Sequence, residues 1–179
     1  EVRASQYYRT YRALLRSPEL ASLLTDFEAQ LTFCPHFASA AAFQQDGVGG
    51  ARIETVDARS VSVQDLLASS NLAITDYSSV AFDMAYQRKP VLFYMFDRLR
   101  WRTTSGGVGV DFAAELPGPL LTTERELLDA LRASLSRGLT LESPYAERAE
   151  AFIAHRDGQS CARIFSALSA ASRRKRAER

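Results

Sequence analysis

A stretch of about 25 residues constrains this chain more than any other feature. An apolar run at 71–75 (NLAIT) meets a polar turn at 76–79 (DYSS), and an apolar helical stretch follows at 80–87. Arg88-Lys89-Pro90 then turns into a second apolar run at 91–95 (VLFYM). Runs this short, rich in β-branched and aromatic residues and bounded by turn signals, read as buried strands. Strand, helix and strand in succession make a βαβ unit, whose crossover leaves the two strands parallel. A chain organised around it is α/β, a Rossmann-like parallel sheet flanked by helices.

The flanking sequence fits that class. Residues 5–16 place Tyr8, Tyr11, Leu14 and Leu15 on one helical face. Ser17-Pro18 opens a second helix, since proline is tolerated in a first turn, and Leu20, Leu23, Leu24 and Phe27 form its apolar side. Apolar residues 31–34 form a strand, and 52–56 a weaker one after Gly47, Gly49 and Gly50. A short helix covers 63–69. Residues 96–119 read as a long loop carrying the only tryptophan, Trp101, with Gly106, Gly107, Gly109 and Pro117-Gly118-Pro119; loops of that length are usually functional or disordered. Thr122 or Thr123 caps a helix to about Ser136, and the chain beyond Pro144 is helical with a break near Asp157-Gly158.

With 179 residues, 46% hydrophobic and 24% charged, the expected organisation is one globular domain over 1–171 followed by a basic tail over 172–179. No apolar run approaches the ~18 residues that span a bilayer. Cys34 and Cys161 lack zinc-ligand spacing, so no metal is expected and a reduced, cytoplasmic compartment is the plain reading. The tail carries net +4 in a chain of net +1, leaving a mildly acidic body. Nucleic acid is not an expected partner; the tail reads as a solvated, frayed helix end, or as a patch that attracts an anionic membrane surface or a polyanionic product.

Several familiar site motifs are missing: a P-loop, a strand-anchored G-x-G-x-x-G, G-x-S-x-G, H-E-x-x-H and D-x-D. The best local candidate is 75–80 (TDYSSV), where a parallel strand ends and a helix begins. Ligands of α/β folds bind there, and free amides, a helix dipole and the Ser78 and Ser79 hydroxyls suit a diphosphate. The plainer alternative is that Ser78 only caps the helix. Asp83 shares a face with Ser79, and a carboxylate there suits a hydroxyl or a structural hydrogen bond better than a phosphate. Of the two histidines, His36 directly follows the strand at 31–34, on the sheet edge expected to carry Asp76, where it can act as a general base or as a donor to developing charge. His155, at a helix break, is placed to satisfy terminal carbonyls.

Residues 70–83 (SNLAITDYSSVAFD) and 89–94 (KPVLFY) together resemble the signature of CDP-glycerol glycerophosphotransferases, the teichoic-acid and capsule polymerases and primases of bacterial envelopes. Supporting similarity runs through Tyr7-Tyr8 to Leu24, Phe33-Cys34-Pro35-His36, Pro117-Gly118-Pro119, residues 145–152 and Arg156-Asp157-Gly158, covering roughly 6–168. The resemblance implies the C-terminal, donor-binding half of a GT-B fold. It implies that an acceptor hydroxyl attacks the β-phosphate of CDP-glycerol and CMP leaves, with no cofactor. His36 matches the family histidine as base or charge stabiliser, Ser78 and Ser79 the phosphate-binding turn, and Asp76 and Asp83 its flanking acids. A cation that neutralises the diphosphate falls on Arg100 or Arg102, with Arg102 carried as the expected contact. The implied partners are CDP-glycerol or CMP, a polyol-phosphate or glycan acceptor, and an N-terminal GT-B domain holding a further histidine. The resemblance places the whole enzyme in the cytoplasm, peripheral on the inner face of the membrane. Glu1 in place of Met fits an excised segment. This chain departs from the pattern at His36-Phe37, where the family often has His-Pro, and over 98–111. A GT-B glycosyltransferase domain using a nucleotide sugar, and a non-catalytic remnant of the fold, are the alternatives.

Overall fold

The computed structural model describes residues 2–104 and 111–177; the side chains of Arg102, Thr104, Phe112 and 174–177 lie outside the described set, as do Gly106, Gly107 and Gly109. After a 3-10 turn, Val2–Ala4, helix α1 spans Gln6–Leu15 and α2 spans Pro18–Asp26. The Ser5 hydroxyl starts α1 by accepting the Tyr8 N–H at 3.1 Å. Tyr8, Tyr11, Leu14 and Leu15 are all buried, as their spacing requires.

Strand β1 (Leu31–Phe33), helix α3 (Phe37–Gln45) and strand β2 (Ile53–Thr55) form one parallel unit, with Leu31 opposite Ile53. Helix α4 (Val63–Ser69) leads to a second parallel group of strands: β3 (Ala73–Thr75), β4 (Val91–Tyr94) and β5 (Leu120–Leu121), in that order. Helix α5 (Val80–Tyr86) makes the β3–β4 crossover. Strand β4 is central, and its side chains alternate between two cores. Leu92 and Tyr94 face α1, α2, α3 and α8 (Glu124–Ser136), in a core that also holds Leu20, Phe43 and Leu127. Val91, Phe93 and Met95 face α5 through Ala81 and Met84. Burial on both faces explains why β4 reads as an unbroken apolar run. Burying each such large side chain contributes about 1.5–3 kcal/mol.

The expected loop at 96–119 is only partly loop. Arg98–Thr104 is helix α6, and Phe112–Glu115 is a one-turn helix α7 capped by Asp111. Trp101 holds α6 in place by stacking on Tyr77, with centroids 4.3 Å apart and planes 2° from parallel. Gly118 permits the return into β5, because a Cβ there would stand 2.0 Å from the Val91 carbonyl oxygen. Of the two threonines, Thr123 caps α8, in a capping box with Glu126. Helices α9 (Tyr145–Phe152) and α10 (Ser160–Ala177) complete the chain. The role expected of His155 belongs to its neighbour: His155 is exposed without a partner among the described residues, whereas Arg156 donates to the Ala85 and Tyr86 carbonyls that end α5.

Candidate functional site

The C-terminal ends of β1, β3 and β4 converge on one edge. Strand β1 ends into Cys34-Pro35-His36, β3 into Asp76-Tyr77-Ser78-Ser79, and β4 into Phe96-Asp97. Helix α1 ties them together: the Tyr11 ring lies 5.7 Å from Phe33, 6.0 Å from Tyr94 and 5.8 Å from Phe96. The Tyr7 hydroxyl faces the His36 backbone and the Ser39 side chain, and feels the Asp76 charge. His36 and Asp76, 40 residues apart in sequence, are thus neighbours whose charges attract.

The turn after β3 is built to be open. Tyr77 N–H donates to the Asp76 carboxylate at 2.7 Å. The next three amides, of Ser78, Ser79 and Val80, have no partner among the described residues. Ser79 starts α5 without a side-chain bond, and the exposed Ser78 hydroxyl also bonds to nothing described. Capping is therefore not what these serines do. Successive free amides with adjacent hydroxyls are the kind of group that can hold an anion. The dipole of α5 adds little, because the helix has only seven residues.

His36 caps α3: its Nδ1 accepts the Ala38 N–H at 3.3 Å. Nδ1 is thereby the acceptor of the ring, so in the neutral imidazole the proton sits on Nε2 and points outward as a donor. Phe37 does not divert the chain after the histidine; α3 begins on it, and its ring lies 4.2 Å from the His36 ring.

Two acids border the edge. Burial holds the Asp76 carboxyl above its ordinary value, and the Asp97 charge adds to the effect. Asp97 accepts the Tyr77 hydroxyl at 2.8 Å, and burial together with that bond pushes the Tyr77 hydroxyl well above its usual range. The Arg98 charge also acts on Tyr77, which sets Arg98 beside the turn. Asp83 is exposed one turn into α5, with no side-chain bond among the described residues. The Arg102 side chain lies outside the described set. Sequence reading missed Tyr7, Asp97 and Arg98. For Asp97 and Arg98 there was a signal, in their place just past the end of β4.

Comparison with known proteins adds a second line. A family model described as CDP-Glycerol:Poly(glycerophosphate) glycerophosphotransferase matches residues 3–169. The minor teichoic acid biosynthesis protein GgaB of Bacillus subtilis (strain 168) is 30% identical over 167 residues, covering 92% of this chain and 18% of that protein. The teichoic acid poly(glycerol phosphate) polymerase of the same strain is 33% identical over 102 residues, covering 57% of this chain and 14% of that protein. The solved wall teichoic acid polymerase TagF superposes with a TM-score of 0.52 at 19% identity, covering 94% of this chain and 52% of that one. That likeness shows the fold, the Rossmann-like half of a GT-B-type architecture. The chain spans under a fifth of these two curated relatives and about half of the solved polymerase.

Proposed function

The chain belongs to the CDP-glycerol:poly(glycerophosphate) glycerophosphotransferase family, and on that premise we propose that its strand edge binds CDP-glycerol and supports transfer of glycerol phosphate to an acceptor hydroxyl. The observation that carries this is the turn after β3, where three amides and two hydroxyls stand without partners among the described residues, on the strand edge where His36 and Asp76 interact. Amides that only donate, with hydroxyls free to donate beside them, suit a diphosphate.

In the proposed reaction the acceptor oxygen attacks the β-phosphorus. A new P–O bond forms while the bond to the bridging oxygen breaks, and the electron pair leaves with CMP. The residues of this chain act on the charge of that step. Ser78, Ser79 and their amides hold the phosphates, and His36 donates through Nε2 to oxygens whose charge rises in the transition state. This assigns His36 to charge stabilisation rather than to the base role. The acceptor's proton goes to a base on the partner lobe of the GT-B architecture. Asp76 and Asp83 are proposed to contact the glycerol or ribose hydroxyls, and Arg102 the diphosphate. For the whole protein, attachment to an anionic membrane surface through the basic tail is a further part of the proposal. Exposed Ile164, Phe165 and Leu168 on α10 favour it, while no described helix is long and apolar enough to cross a membrane.

A thermal-shift panel tests the reading, since the tighter ligand stabilises more. CDP-glycerol and CMP should stabilise the chain more than UDP or GDP. Replacing both Ser78 and Ser79 with alanine should weaken CDP-glycerol about 100-fold, the scale of losing two hydrogen bonds to a charged group. His36→Gln, which keeps a donor, should bind better than His36→Ala. A UDP or GDP preference would support a nucleotide-sugar enzyme instead, and no response to any nucleotide would overturn the reading.

A further inference from the structure

A polar cavity of about 400 Å³ lies against α1 on the face turned away from Tyr7 and Tyr11. Arg3, Arg9, Arg12 and Arg16 line it, with Tyr8 and a single carboxylate, Asp46. Four guanidinium groups against one acid leave it strongly positive. Asp46 is heavily used. Arg3 donates to it at 2.9 Å, the Tyr8 hydroxyl donates to its other oxygen, and Arg16 donates to its main-chain carbonyl at 2.9 Å. Arg12 lies 3.5 Å from the same carboxylate, yet its buried Nε makes no hydrogen bond. Arg9 has no partner among the described residues. Arg12 Nε is held by its ion pair with Asp46, and capping the C-terminus of α3 needs one cation, so the surplus charge carried by Arg9 is unexplained by the fold alone.

We propose that this cavity binds a phosphodiester polymer, the growing acceptor chain; naming the polymer rests on the function proposed above. Arg9, Arg12 and Arg16 spread their charge along about 10 Å of α1, at 1.5 Å per residue. That spacing suits a ligand that repeats a negative charge along its length better than a single small anion. Arginine also presents a planar fork that pairs well with phosphate oxygens. His36 caps the start of α3 and Asp46 its end, so about 15 Å along the helix separates the two. A chain whose terminal hydroxyl reacts beside His36 can lay earlier phosphates in the cavity. Apart from Tyr8 and Ala13 its lining residues are charged, so it lacks the apolar face a membrane contact would use.

The test is titration of the chain with a synthetic oligo(glycerol phosphate), inorganic phosphate, vesicles of phosphatidylglycerol and, separately, CDP-glycerol. The oligomer should bind at least 100-fold more tightly than inorganic phosphate, with an affinity that falls steeply with salt. Arg9→Ala, which breaks no contact in the fold, should weaken the oligomer 3- to 10-fold and leave CDP-glycerol unchanged; Arg9→Ala with Arg12→Ala should weaken it further. Equal oligomer affinity in Arg9→Ala and the parent chain overturns the proposal. So does phosphate binding as well as the oligomer, or vesicles engaging Arg9 in its place. If CDP-glycerol fails to bind while the oligomer still depends on Arg9, the donor reading fails and the polymer site stands.

Discussion

One imidazole at position 36 both starts a helix and faces an acid from a different strand. Its Nδ1 is committed to the Ala38 amide, which decides what its other nitrogen can offer a ligand. Asp76 shows the opposite economy. Burial first, and Asp97 second, hold its carboxyl above the ordinary value. An acid raised in the folded state adds stability below its unfolded value, near 3.8, and loses it as pH rises through the raised one. At pH 7 the ionised, desolvated carboxylate therefore costs stability. Asp76→Asn, which keeps an acceptor for the Tyr77 amide, should raise the melting temperature at pH 7 and converge with the parent chain at pH 3 in parallel thermal melts. A lower melting temperature at pH 7 would contradict the account. A group retained at such a cost fits a ligand-binding role.

At the scale of elements, what could be read was what local rules control. The tyrosine and leucine stripe of α1 and the threonine start of α8 carry their own signals. Thr123 accepts the Glu126 amide at 3.2 Å while the Glu126 carboxylate accepts the Thr123 amide at 3.1 Å. Thr123→Ala should cost about 1 kcal/mol in chemical denaturation, an ordinary capping loss; no change would mean that α8 is held by packing alone. What could not be read depends on distant contacts. Helix α6 has no apolar stripe and is fixed by Trp101 stacking on Tyr77. Helix α3 (FASAAAFQQ) is nearly uniform around its circumference and is set by the His36 cap and by burial of Ala40 and Phe43. Strand β5 is two residues long, below what alternation can signal. In the site, the strand ends at His36 and at 76–79 were legible because turns interrupt apolar runs there. Tyr7 was not, since only the folded α1 brings it to that edge, and the part played by Asp97 rests on its bond to the Tyr77 hydroxyl, which only the fold makes.

At the scale of the whole molecule, two parallel groups of strands share one core through α1, and their ends make an edge rather than an enclosed pocket. The chain covers 52% of the solved polymerase it resembles in fold, and the edge lies within that shared portion. The edge and the arginine cavity sit at opposite ends of α3, so donor and acceptor chemistry are proposed to meet along one helix. The central claim is the location of the donor. Titrating the isotope-labelled chain with CDP-glycerol and following backbone amide shifts by NMR tests it directly. The account predicts saturable shifts concentrated at Tyr77, Ser78, Ser79, Val80 and Ala38, with little change at Asp46. Shifts centred on Asp46 and α1, or no shifts at saturating ligand, would contradict it.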